Sequence, residues 1–176
     1  REYQGIVRLV PRVIVNDASC LIDLRKGRLL HVLCALPYEF IVPLPVRASE
    51  ILAFTPQEWA LLDGSGMATY DLPPAQVGQA FDIKKRHGRL SANDCFCLVT
   101  AQVHAEAILL TGDRLLRRVA EDNGIAAHGV LWVVDQLLRD SLCDPKLLET
   151  ALTLWRDDKA VFLPNQLIDN LLRRVR

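Results

Sequence analysis

The stretch Arg12-Val13-Ile14-Val15-Asn16-Asp17-Ala18-Ser19-Cys20 decides the fold class. A β-branched run meets a carboxylate, and the residues from Ala18 to Lys26 then follow a helical pattern that stops at Gly27, a natural C-cap position. The same sequence of strand, polar junction and helix recurs along the chain. Strand candidates at Arg12–Val15, Glu39–Val42, Met67–Asp71, Ala107–Thr111 and Ile125–His128 alternate with helical segments. That alternation predicts an α/β protein with a parallel sheet and helices on both faces.

Helix boundaries are written by local chemistry. Arg28–Leu36 reads as a helical piece broken by Pro37, and Pro43-Leu44-Pro45 leads into a helix through Glu50 to Phe54. Thr55-Pro56-Gln57-Glu58 is a capping box with proline at the first helical position. Pro73-Pro74 opens a helix to about His87, and Ser91 begins the next. Asp113–Asp122 follows the fourth strand, capped by Asn123-Gly124, and Val130–Arg139 follows the fifth. Two more helices start at Asp144-Pro145 and Pro164, the last carrying Leu167, Ile168, Leu171, Leu172 and Val175 on one stripe.

Composition narrows the class. At 176 residues, 51% hydrophobic and 24% charged, the chain has the side chains for one real core, which excludes intrinsic disorder. Lysine plus arginine equals aspartate plus glutamate, 21 each, which counts against a sequence-blind electrostatic nucleic-acid binder. The most membrane-like stretch, Leu29 to Val46, is interrupted by His31, Pro37, Glu39, Pro43 and Pro45, whereas a bilayer helix needs about 20 apolar residues. Five cysteines, an odd number without small-domain spacing, and no leader-like segment predict reduced thiols and a cytoplasmic protein. No histidine sits at zinc-ligand spacing to them.

The acids carry the chemistry. Asp17 ends the first strand, Glu50 lies in the helix after the second, Asp94 is three residues past Ser91, and Asp113 follows the fourth strand. In an open α/β sheet the functional crevice lies beyond the carboxyl ends of the strands. Asp17, Asp94 and Asp113 stand at such junctions or helix starts, and Glu50 joins them if its helix begins at the same edge. Carboxylates crowded without a basic partner repel, and a hard divalent ion, Mg²⁺ or Mn²⁺, relieves the clash. Each acid also has a structural reading. Asp17 and Asp113 can serve as N-caps, Ser91-Ala92-Asn93-Asp94 has the shape of a capping box, and Glu50 can be a solvated helix residue. Joint placement at one sheet edge favours the functional reading.

The blocks Val13–Ile22, the Glu50 helix, Leu90–Leu98 and Leu109–Leu116 together resemble the ordered signature of the PIN domain family. The resemblance implies a three-layer α/β/α sandwich around a parallel sheet of about five strands. Residues 1–140 are then expected to be a PIN-like nuclease domain, and the helical pattern of 141–176 predicts an extension packed on the core or on a partner. It also implies RNA cleavage dependent on Mg²⁺ or Mn²⁺, with Asp17, Glu50, Asp94 and Asp113 as metal-binding acids and Thr111 orienting the Asp113 loop. Many bacterial members are VapC-type toxins held inactive by a small antitoxin, so an antitoxin is an expected partner. Where many members carry a further acid after the last aspartate, this chain has Leu115 and Leu116.

Other features weigh less. Lys84, Lys85 and Arg86 form the densest basic run and read equally as RNA-phosphate contacts or as a helix end complementing its own dipole. Arg114, with Arg117 and Arg118, is a second basic patch beside Asp113. His104 and His128 read as packed rather than catalytic. The stripe of the last helix, with Trp155 before it, predicts an exposed apolar patch forming a homodimer or antitoxin contact. Two functions stay open: a metal-dependent endoribonuclease, or a catalytically weak PIN-like module that binds RNA or protein.

Overall fold

A computed structural model of the protein describes residues 12–176. The first eleven residues of the expected nuclease domain lie outside the described ones.

Five strands form one parallel sheet: β1 (Val13–Asn16), β2 (Glu39–Pro43), β3 (Met67–Tyr70), β4 (Ile108–Leu110) and β5 (Ala126–His128), in the order β3-β2-β1-β4-β5. The register lays Met67, Phe40, Ile14, Ile108 and Ala126 across the sheet in one row, with Ala68, Ile41, Val15, Leu109 and Ala127 in the next. Ile14, Val15, Leu109 and Leu110 are fully buried, because a parallel sheet covered on both faces has no wet side. The chain first builds outward from β1 through β2 to β3, then returns to place β4 on the other side of β1. The switch point therefore falls between β1 and β4, which carry Asp17 and Thr111 at their carboxyl ends.

Ten helices flank the sheet among the described residues. They are α1 (Ala18–Lys26), α2 (Leu30–Leu33), α3 (Leu44–Ser49), α4 (Pro56–Gly64), α5 (Pro74–Arg86), α6 (Ala92–Val103), α7 (Arg114–Asp122), α8 (Val130–Arg139), α9 (Pro145–Asp157) and α10 (Asn165–Val175). Helix α6 packs across β1, β2 and β4 with α3 and α5 beside it, while α1 is joined by α2, α8 and α9. The architecture is the expected three-layer sandwich. No described helix is long and apolar enough to cross a membrane.

Two expectations are corrected, and the Gly27 cap is found as expected with a different reason for its glycine. The helix predicted to run through Glu50 to Phe54 stops at Ser49, and Glu50 is its C-cap, its amide donating to the Val46 carbonyl at 3.0 Å. Beyond it Ile51 and Phe54 turn into the core, 2% and 7% exposed, and Thr55 must be extended to cap α4, so the helix cannot continue. Gly27 does cap α1, but at φ −79°, which any residue adopts. The glycine is there because a Cβ would meet the Trp155 ring at 2.6 Å. The left-handed position is one residue later, at Arg28 with φ 60°.

The second correction concerns the last helix. Its stripe is not an exposed patch: Ile168, Leu171 and Leu172 are buried against the chain's own α8 and α9. Leu167 alone of the stripe stays half-exposed, at 50%. Helix α9 is anchored by Trp155, 1% exposed, whose indole N–H donates to the Asp23 carbonyl at 2.7 Å. The apolar surface offered for a homodimer or antitoxin is thus largely spent inside the monomer.

Candidate functional site

Asp17 sits where β1 becomes α1, and its backbone amide still donates to the Leu110 carbonyl of β4 at 3.0 Å. Its extended φ, ψ of −82° and 152° turn the side chain back over the helix start. There Oδ1 accepts the Ala18 amide at 2.8 Å, and Oδ2 accepts the hydroxyls of Ser19 and Thr111, each at 2.7 Å. The carboxyl is 4% exposed, and burial pushes its pKa up from 3.8 to about 6. The two hydroxyls pull it down, whereas the negative charges of Asp94 and Glu50 raise it further.

Those charges arrive from the other side of the sheet. Ser91 caps α6 by accepting the Asp94 amide at 3.0 Å, and Asp94 Oδ2 accepts the Ser91 amide at 2.6 Å. The capping-box reading of Asp94 is therefore realised, and it spends one carboxylate oxygen. Asn93 Nδ2 donates to Ser49 Oγ at 2.8 Å, tying the start of α6 to the end of α3 and so to Glu50, which is exposed. Buried Cys97, one helical turn along α6, lies with its sulfur 4.0 Å from Asp17 Oδ1. Its thiol pKa is pushed well up, first by burial and then by Asp17, Asp94 and Glu50. Three of the four sequence-predicted acids thus share one neighbourhood around Cys97.

Asp113 reaches it indirectly. It caps α7, Oδ1 accepting the Leu116 amide at 2.8 Å, while its own amide donates to Thr111 Oγ1 at 3.0 Å. Thr111, fully buried, links Asp17 and the Asp113 loop through one hydroxyl. Ser19 is a residue the sequence reading left out. Its hydroxyl donates to Asp17 and accepts the Gly112 amide at 2.9 Å, a second bridge between the same two loops. A serine two residues after a capping aspartate is a local hydrogen-bonding signal that could have found it.

The basic candidates divide. Lys84 Nζ donates to the Gly88 carbonyl at 2.6 Å, Lys85 pairs with Asp82 at 3.7 Å, and Arg86 Nε donates to the Asp82 carbonyl at 3.4 Å, so all three serve the end of their own helix. Lys84 is still close enough to Cys95, beside Asp94, to draw that thiol's pKa down against burial. Arg114 is exposed beside Asp113, and neither it nor Arg117 enters an ion pair among the described residues. His128 stacks on Trp132 with ring centroids 4.6 Å apart, and His104 meets the Tyr70 ring at 4.9 Å. Both are packed side chains.

The donor set is all hard oxygen, and none of Asp17, Glu50, Asp94 or Asp113 is in an ion pair among the described residues. That unrelieved negative charge fits a divalent cation. Among the described residues, no three histidine, cysteine, aspartate or glutamate side chains yet close to metal-holding distance, because Asp17, Asp94 and Asp113 are turned onto amides at helix starts.

A parallel α/β/α sandwich with buried acid at its switch point defines the class. The family model described as PIN domain matches residues 13–176, and the chain belongs to the PIN domain family. PIN domains are generally nucleases and typically use divalent metals, which places the protein among hydrolases at that coarse level. No curated protein and no solved structure matches the chain.

Proposed function

We propose that the protein is a metal-dependent endoribonuclease that hydrolyses RNA phosphodiester bonds. Asp17, Glu50, Asp94 and Asp113 would hold its Mg²⁺ or Mn²⁺. The observation that carries this reading is the convergence on buried Asp17: Asp94 and Glu50 act on its charge, and Thr111 joins it to the Asp113 loop. Such a bound cation supplies a lowered pKa for water and offsets charge building on the phosphate.

The protein's own groups do the rest. Ser19 and Thr111 fix Oδ2 of Asp17, so the carboxylate cannot rotate away from the crevice. Asp94 and Asp113 are each held by one oxygen, leaving the other to face a ligand. Glu50, exposed past the end of α3, would complete the set. No histidine or lysine is hydrogen-bonded into the acids among the described residues. Attack by the RNA 2′-hydroxyl needs a positioned base, so hydrolysis by water is favoured, leaving 5′-phosphate and 3′-hydroxyl ends.

Incubating the full chain with a pool of structured RNAs tests this. The expected result is cutting with Mn²⁺ or Mg²⁺, none in EDTA, and none by Asp94→Asn. Cyclic-phosphate ends, or cutting that survives EDTA, would overturn it. The second reading, a weak binding module, is favoured by the absence of a closed trio of acids among the described residues. It predicts RNA binding with no cleavage under any divalent ion. The toxin role rests on the family resemblance alone, and growth arrest on induction, relieved by the Asp94→Asn change, is its test.

A further inference from the structure

One feature of the molecule belongs neither to the acids nor to the core. A cavity of about 300 Å³ opens between α1, the starts of α7 and α8, and the segment 158–164 that joins α9 to α10. Its lining includes Ser19, Gly112, Arg114, Arg117, Gly129 and Phe162. Two of these are already in the site, since Ser19 donates to Asp17 and Gly112 precedes Asp113. The cavity therefore borders the two loops that carry Asp17 and Asp113, although none of the four acids lines it.

Its lining carries two arginines. Arg117 Nη2 donates to the Thr111 carbonyl at 3.0 Å, while its Nε is buried without a partner. Gly129 makes room for that guanidinium, because a Cβ there would meet Nη2 at 2.7 Å. Asp23 also lines the cavity and Lys26 is paired with Asp158 at 3.4 Å. The positive charge left to face a ligand thus comes from Arg114 and Arg117. Phe162, 88% exposed, lines the same cavity. A lone exposed apolar residue is ordinary, but a phenylalanine at the rim of a small cationic cavity beside phosphodiester-cleaving acids is a stacking surface.

We propose that this cavity seats one unpaired nucleotide of the RNA, next to the scissile phosphate, with its base on Phe162 and its phosphate at Arg114 and Arg117. The assignment rests on the ribonuclease reading for the identity of the ligand. At about 300 Å³ the cavity is at the small end of ligand clefts, too small for a duplex and suited to a base splayed from a single strand. It also gives the C-terminal helices a role: they hold the segment that completes the cavity wall.

Binding, measured apart from cutting, tests this. A short fluorescein-labelled single-stranded RNA is titrated with the full chain in EDTA, where the probe stays intact, and followed by anisotropy. Phe162→Ala should weaken binding about fivefold or more, the lower range of base–aromatic stacking, while Phe162→Tyr restores it. Arg114→Ala should flatten the salt dependence by about one phosphate contact. RNA carrying 4-thiouridine should cross-link to residues 158–164. Equal affinity of Phe162→Ala and the unaltered protein, or cross-links that avoid this segment, would overturn the proposal, even if the RNA is cut. RNA bound through Phe162 but never cut would sustain the cavity and remove the nuclease reading.

Discussion

The two ends of helix α1 are built on opposite principles. Its first residue follows Asp17, a buried carboxyl held by two hydroxyls and an amide, with two further acids acting on its charge. Its last turn meets Trp155, which packs on Gly27 and donates to Asp23. At the C-terminal end the buried tryptophan and its hydrogen bond lower the free energy of the folded chain. At the N-terminal end burial and like charge raise it, and the fold tolerates the strain because the apolar end and the sheet outweigh it. The contrast separates the part of the molecule that supports from the part proposed to act.

Changing the supporting end should give the largest loss. Trp155→Ala leaves a large buried void between α1 and α9 and an unpaired Asp23 carbonyl, costing about 3–5 kcal/mol of stability. Denaturant titration measures it. A loss below about 1 kcal/mol would mean that α9 is not seated on α1 as described.

At the acting end the effect should fall on chemistry instead. Asp113→Asn keeps the cap on Leu116 through its amide oxygen, so the fold should hold. RNA cleavage should fall about a hundredfold or more, the scale of losing one electrostatic element of a reaction site. Rate measurements beside a melting curve check both halves, and a variant that cuts normally removes Asp113 from the site.

Next in size is a pH effect of Asp17. Its folded pKa, raised to about 6 from 3.8, means the folded state holds the proton more tightly. Its contribution is therefore favourable below about pH 4 and is lost as pH rises through about 6. The loss is on the order of 2–3 kcal/mol. Metal-free Asp17→Asn, which has no charge to bury, should gain stability over the unaltered protein by that order at pH 8 and little at pH 4. Thermal melts at both pH values decide it, and a difference of the opposite sign would mean that the hydroxyls outweigh burial.

The smallest effect should come from the basic run. Lys85→Ala removes an exposed pair with Asp82 and should change stability by less than about 0.5 kcal/mol. If RNA affinity falls more for Lys85→Ala than for Arg114→Ala, the nucleic acid lies over α5 rather than over the α7 start.

Much of this was legible in the chain itself. Alternating apolar runs and polar junctions place the five strands within a residue or two of their positions, and the Thr55–Glu58 and Ser91–Asp94 boxes start the helices they announce. Such signals are readable because hydrogen bonds at a helix start, and the periodicity of a buried face, involve residues only a few positions apart. The positions of Asp17, Asp94 and Asp113 at junctions were legible for the same reason.

What the tertiary structure alone decided are the meetings. Asp17 and Thr111 are 94 residues apart, Asp17 and Cys97 are 80, and Trp155 and Asp23 are 132. Nothing local records that Glu50 ends its helix because Ile51 turns inward, or that Gly27 is a glycine for the sake of a tryptophan far along the chain. The stripe on α10 could be read as amphipathic, but not which surface would cover it. Amphipathicity states that a face must be buried, whereas the packing of distant elements decides against what.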